Sequence, residues 1–146
     1  MTPGRRWRTL PGLILLAWAI ACGRDDPAAE GEVEVAVSPS ELLRAFAEDS
    51  AAAARRFAPA TLVISGRPSS VFSGGPPGSA PSFTFQVDPR GTVHCSGDGL
   101  VHLLEDAGGG KTVTVACDGS DLHYWPAPNE SLELHECTPR PTAQGS

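Results

Sequence analysis

The stretch Gly91–Cys137, GTVHCSGDGLVHLLEDAGGGKTVTVACDGSDLHYWPAPNESLELHEC, decides the fold. Thr92–Cys95 is a short β-type run that Ser96-Gly97 interrupts. Asp98 then stands as an N-cap ahead of Leu100, Val101, Leu103 and Leu104, whose spacing is that of one helical face. Gly108–Gly110 ends that helix, because glycine takes left-handed C-cap angles without a Cβ clash. Thr112–Val115 alternates with period two and is β-branched throughout, the pattern of a half-buried strand. Pro126–Asn129 is a turn, since proline fixes φ and asparagine tolerates unusual backbone angles. The stretch therefore reads strand, short helix, strand, strand.

The last two strands can be put in register. Pairing Tyr124 with Leu132 and Leu122 with Leu134 sets apolar side chains opposite one another on one face. Continued, that register brings Cys117 to within a step of Cys137, and a bulge at Asp118-Gly119 absorbs the offset. A Cys117–Cys137 disulfide is expected on that geometry, because a bridge needs Cα atoms within about 7 Å.

Working upstream, Ser38-Pro39-Ser40-Glu41 opens a helix. Ser38 is the N-cap, Pro39 occupies the first position where its missing N–H costs nothing, and Glu41 completes a capping box. Leu42, Leu43, Phe46, Ala53 and Phe57 form one apolar face of a single helix that Pro59 ends. Thr61–Gly66 is the first strand, running on through Val71-Phe72. Ser82–Val87 is the second, with Phe83 and Phe85 sharing a face. Between them lies Ser69–Ser82, a loop rich in Gly, Pro and Ser.

The order of these pieces resembles the tRNA-anticodon-binding-like OB-fold family of small bacterial envelope proteins. The matching segments are Leu62–Gly66, Val93–Cys95, Lys111–Gly119 and Leu132–Cys137, with the upstream helix from Glu41 to Phe57. The resemblance covers residues 38–138 and implies a mainly β fold. That fold is a five-stranded OB barrel with an N-terminal helix and a short helix between strands three and four. It assigns no activity. Because strands three and five are neighbours in such a barrel, a Cys95–Cys137 bridge is the alternative pairing. Otherwise Cys95 is a buried, small apolar side chain. OB barrels bind across strands two and three and their flanking loops, which here points to Phe83, Phe85, Gln86, Arg90 and His94, with Ser69–Ser82 as the rim.

Residues 1–21 read as a signal segment. Arg5, Arg6 and Arg8 precede the apolar run Leu10–Ala21, which falls short of the ~20 residues of a membrane span. The run ends Ala19-Ile20-Ala21-Cys22, which resembles a bacterial lipobox and makes Cys22 the expected site of lipidation and the mature N-terminus. Gly23 after it suits the outer rather than the inner membrane. Residues 22–37, acidic and free of aromatics, are expected to be a flexible tether, the alternation at Glu32–Val35 being the one strand-like feature in it. Residues 139–146 are expected to be a frayed tail. Export agrees with the use of cysteine for a disulfide.

Charge excludes one function class. Losing Arg5, Arg6 and Arg8 leaves 8 of the 11 basic residues against 17 acidic ones, a formal charge of −9. A nucleic-acid binder needs a basic face to release phosphate counterions. No nucleophile motif is present, and Gly108-Gly109-Gly110-Lys111-Thr112 precedes a strand where a phosphate loop needs a helix. An enzyme is not expected. His123 and His135 fall a diagonal step apart in the hairpin register with Cys137 nearby. They lack paired-ligand spacing in sequence, so they read as exposed strand residues, with no metal and no cofactor assigned. The expected function is a non-enzymatic envelope binding module, tethered to the membrane by its lipid, with an envelope protein or a small ligand as its partner. The alternative is a thiol- or metal-handling protein using Cys95, His123 and His135.

Overall fold

The computed structural model describes residues 32–87, 89 and 91–142. The described residues are mainly β, with two sheets and three α-helices. Strand β1 (Val33–Val37) leads into helices α1 (Pro39–Glu48) and α2 (Ser50–Phe57), and then into β2 (Ala60–Gly66), which lies parallel to β1. The alternation at Glu32–Val35 thus makes a strand, correcting the tether reading for Val33–Val37. Paired backbone along the β2 edge accounts for it.

The capping box forms as expected. Ser38 N donates to Glu41 Oε2 at 3.0 Å, and Glu41 N donates to Ser38 Oγ at 3.2 Å. The single helix expected through Phe57 is instead two. Asp49 sits in extended backbone, ends α1 and caps α2 by accepting from Ala52 N at 2.9 Å. Aspartate competes well for a backbone N–H at a helix start, so it interrupts rather than continues the helix. The apolar face survives the break: Leu42, Leu43, Phe46, Ala53 and Phe57 are all buried.

The first strand also divides. After β2 the chain turns and resumes as β3 (Ser70–Phe72), which belongs to the other sheet. Then come β4 (Ser82–Val87) and β5 (Gly91–Ser96). The short helix expected behind an Asp98 cap is 3₁₀ over Asp98–Leu103, without a side-chain cap and with Val101 exposed, and becomes α-helical only in α3 (Leu104–Gly108). Strand β6 (Val113–Asp118) is followed by a 3₁₀ turn, Gly119–Asp121, in place of the expected bulge, and by β7 (Leu122–Trp125). Strands β8 (Glu130–Leu134) and β9 (Thr138–Arg140) follow, and the pairing of β9 with β6 corrects the frayed-tail reading for Pro139 and Arg140. The first sheet has the order β1-β2-β6-β9 and the second β3-β4-β5-β8-β7. Among the described residues no closed barrel is hydrogen-bonded together.

The β7–β8 hairpin has the register read from the sequence, Tyr124 opposite Leu132 and Leu122 opposite Leu134. Across the second sheet the registers align two inward rows. One is Val71, Phe83, Cys95, Leu134 and Leu122, and the other is Phe85, Val93, Leu132 and Tyr124. Leu62 and Ile64 of β2 and Val113 and Val115 of β6 join the same core. Helix α1 packs on β2, β4, β5 and β8 at the Gly91 end, with the Phe46 ring 5.5 Å from Tyr124 and 6.2 Å from Phe57. Gly91 is required there, because a Cβ would run into Leu43.

Cys117 and Cys137 form the disulfide, with Cα atoms 4.2 Å apart. Cys95 is free and buried, which removes the alternative pairing.

Candidate functional site

The outer face of the second sheet follows from strand parity. Side chains alternate across a strand, so the residues between the two inward rows must point out. Three outward rows result. Gln86, Thr92, Ser131 and Trp125 form the row nearest α1, and Ser70, Thr84, His94, Glu133 and His123 form the central one. Phe72, Ser82 and Ser96 begin the third, and His135 joins it through a 3.0 Å hydrogen bond between its Nδ1 and Ser96 Oγ. Thr84 Oγ1 bonds His94 Nδ1 in the same way at 3.0 Å. The face is polar across its middle, with exposed aromatic side chains at its two edges, Phe72 and Trp125.

The residues expected at the binding face are therefore divided. Phe83 and Phe85 are 0% and 2% exposed and belong to the core, so they form no aromatic platform. Their parity is that of Cys95 and Val93, opposite which they sit. Gln86 and His94 do reach the outer face. The Gln86 side chain is engaged there, its Nε2 donating to Gly91 O at 3.1 Å. Arg90 lies outside the described residues, as does Cys22. The aromatics that the face does carry, Phe72 and Trp125, were missed. Their signal was parity: Phe72 alternates with Val71, and Trp125 with Tyr124, each of which points inward.

Electrostatically the face is acidic at one end. Glu133 stands in the central row, and Asp121 comes within 3.6 Å of His123 Nε2. No lysine or arginine occupies any of the three rows. Burial holds the Tyr124 hydroxyl above its ordinary value, with the Glu130 carboxylate adding to the effect. A separate groove of about 440 Å³ lies beside α1, lined by Leu43, Arg44, Val87, Gly91 and Glu130 among others.

One further histidine and the cysteines can also be placed. His102 is exposed on the 3₁₀ segment, away from the sheet rows. The sulfurs of Cys95, Cys117 and Cys137 lie within 4.8 Å of one another. Desolvation pushes the Cys95 thiol up to about 12, which keeps it protonated and chemically quiet in the folded chain. Among the described residues no helix is long and apolar enough to cross a membrane. Comparison with protein-family models, with curated proteins and with solved structures gives no match.

Proposed function

We propose that this is a lipid-anchored protein of the bacterial cell envelope, whose OB-type barrel carries a non-enzymatic binding face. The barrel reading rests on strand order. Starting at β2, the neighbours run β6, then by direct continuation β7, then β8, β5, β4 and β3, and back by continuation to β2. Two bent stretches, Ala60–Phe72 and Val113–Trp125, carry the chain between sheets. Counted as single strands, they make a ring of five. In that ring strands three and five, β5 and β8, are neighbours, as expected of the OB-fold family resembled by residues 38–138, and they pair in parallel. The anchor reading rests on Arg5, Arg6, Arg8, the run Leu10–Ala21 and Cys22. It assigns the domain to the periplasmic face, with Gly23 favouring the outer membrane.

The observation that carries the binding role is the outward polar face, with its two bracketing aromatics over a sealed core. Short polar side chains on rigid strands can accept a partner's edge or a small ligand without reorganising. Thiol handling is disfavoured by the burial of Cys95 and its raised pKa. Nucleic acid is disfavoured because, among the described residues, no row of the face is basic.

In-cell cross-linking of the full-length chain, followed by recovery from its own membranes, tests this reading. The expected result is one stoichiometric envelope partner that disappears for Thr92→Lys/Ser131→Lys, which loads the middle of the face. The Cys22→Ala chain should leave the membrane fraction. A partner that survives the double substitution would remove the face from the proposal, and membrane retention of Cys22→Ala would remove the anchor.

A further inference from the structure

Three sulfurs meet where the two sheets join. Cys95 comes from β5 of the second sheet, Cys117 from β6 of the first, and Cys137 from the return between β8 and β9. Their Sγ atoms all lie within 4.8 Å of one another. Among the described residues no other group of three His, Cys, Asp or Glu side chains brings its ligand atoms together in this way. All three residues are buried. The disulfide accounts for two of them. Cys95 fills the inward row between Phe83 and Leu134, where any small apolar side chain would serve, yet it sets a thiol beside the bridge.

We propose that in the reduced chain these three cysteines form a thiolate site for a divalent metal ion of the zinc class. The corner between the sheets is then closed either by a disulfide or by a metal ion. The site goes beyond the binding-face reading and uses no residue of that face.

The change of state balances. A dithiol reductant gives two electrons and two protons to the Cys117–Cys137 bond and leaves as its own disulfide. The Sγ–Sγ bond breaks, and three thiols stand together. A divalent ion then displaces their three protons to solvent. Burial favours the protonated Cys95 thiol in the metal-free chain, but a coordinating cation removes such a proton outright.

Geometry and charge select the ion. Zn–S bonds of about 2.3 Å place tetrahedral ligands ~3.8 Å apart. From separations within 4.8 Å, Cys95 Sγ closes on the other two by at most ~1 Å, and the freed pair spreads, both within reach of side-chain rotation. Three protein ligands suffice, because open zinc sites keep a fourth position for a small ligand. Thiolates do not suit magnesium or calcium, which take oxygen shells. Among softer ions charge decides. The buried polar side chains of the described residues are Thr61, Ser82 and Thr114, so no buried cationic group offsets the thiolates. Three thiolates keep one net negative charge with a divalent ion and two with copper(I), and uncompensated charge is costly in a core.

The test uses the full-length Cys22→Ala chain in detergent, whose remaining cysteines are Cys95, Cys117 and Cys137. Reduced by a phosphine, which leaves as its oxide, and kept free of oxygen, it is titrated calorimetrically with Zn²⁺, with Mg²⁺ and Ca²⁺ as controls. One zinc ion per reduced chain is expected, none per oxidised chain, and neither control ion should bind. Co²⁺ should give a tetrahedral visible spectrum with thiolate charge transfer. Zinc should also shield all three thiols from alkylation, counted by mass. Cys95→Ala and Cys95→Ser, which keep the disulfide pair, should each abolish uptake by the reduced chain. Their oxidised forms should keep native circular dichroism, so that lost uptake is not lost folding. His123→Gln/His135→Gln should leave uptake unchanged. Where reduction alone unfolds the chain, zinc should restore native circular dichroism. Binding without that recovery is capture by loose cysteines and would overturn the proposal. No uptake by the reduced chain, uptake that survives both Cys95 substitutions, or uptake by the oxidised chain would overturn it too.

Discussion

The Cys117–Cys137 bridge closes a loop of 20 residues that contains the 3₁₀ turn and the whole β7–β8 hairpin. Removing a cross-link of that length returns about 11 cal/mol/K of chain entropy to the unfolded state, or about 3.3 kcal/mol at 25 °C. The choice of substitution matters. With all three core sulfurs within 4.8 Å, Cys117→Ala alone leaves Cys95 and Cys137 free to oxidise to each other. The informative variant is Cys117→Ala/Cys137→Ala. Urea unfolding of the full-length chain, followed by far-ultraviolet circular dichroism, should show a midpoint lowered by about 1–3 M, taking slopes of about 1–3 kcal/mol/M. In a Cys22→Ala background the otherwise wild-type chain should show no thiol reactive to an aromatic disulfide reagent while folded. It should show one, Cys95, once unfolded, because desolvation holds that thiol near 12. Peptide mapping of Cys117→Ala should recover a Cys95–Cys137 bridge. A double-variant loss below ~1 kcal/mol, or Cys95 found bridged in the parent, would refute the reasoning.

Two further predictions concern the corner and the helix start. A Cβ on Gly119 would run into the backbone oxygens of Phe57 and Ala60, so Gly119→Ala should destabilise by at least the ~1–3 kcal/mol typical of overpacking, read as a lower urea midpoint. An unchanged midpoint would mean that the turn is free to shift. The Glu41 carboxylate is held below its ordinary value of 4.5 by hydrogen bonds from the Ser38 backbone N–H and hydroxyl. A carboxylate lowered on folding binds fewer protons in the native chain, so its contribution is complete above its unfolded pKa and is lost as pH falls through the folded one. The stability difference between parent and Glu41→Gln should therefore shrink as pH drops from 6 to 3, and a pH-independent difference would contradict the capping geometry.

What could be read in the sequence was whatever depends on near neighbours. The Ser38 capping box, the apolar face from Leu42 to Phe57 and the Tyr124–Leu132 register are set by residues within one element or one hairpin. The errors came where a residue's role is decided by something distant. Val33–Val37 alternates valine with other residues, but five residues lying in an acidic segment do not fix a strand without a partner. It is ordered by the β2 edge, 27 residues along the chain at the Val33–Ala60 pair. Asp49 reads as helix interior because its neighbours on both sides fit one helical face, and its extended backbone and side-chain bond to Ala52 N reveal the break. Phe83 and Phe85 were assigned to a binding face by analogy with strand two of the resembled family. Alternation alone could not say which side was in, and that was decided by Val93 and Cys95 across the ladder. Conversely, the pairing of His123 with His135 was visible in the register. The brace from Ser96 and the approach of Asp121 were not, since β5 and the 3₁₀ turn reach them only in three dimensions.

The crossings between the sheets bear on how the molecule holds together. At one corner the chain leaves the first sheet after β6, enters the second at β7, and returns from β8 to β9 through Cys137. Cys117 lies just before the first crossing and Cys137 within the second, so the disulfide ties both at one point. The same corner has the least room: Gly119 abuts the Phe57 and Ala60 carbonyls, and Gly97 abuts the Cys137 backbone, leaving no space for a Cβ at either. Hydrogen bonds hold each sheet, whereas the shared core, covalent continuity and this packed corner hold the two sheets to each other. Opening the disulfide should therefore loosen this corner before it melts either sheet, so amide exchange around Gly119 and Cys137 should quicken in the double cysteine variant at urea concentrations where its circular dichroism is still native, and unchanged exchange would show that packing alone holds the corner.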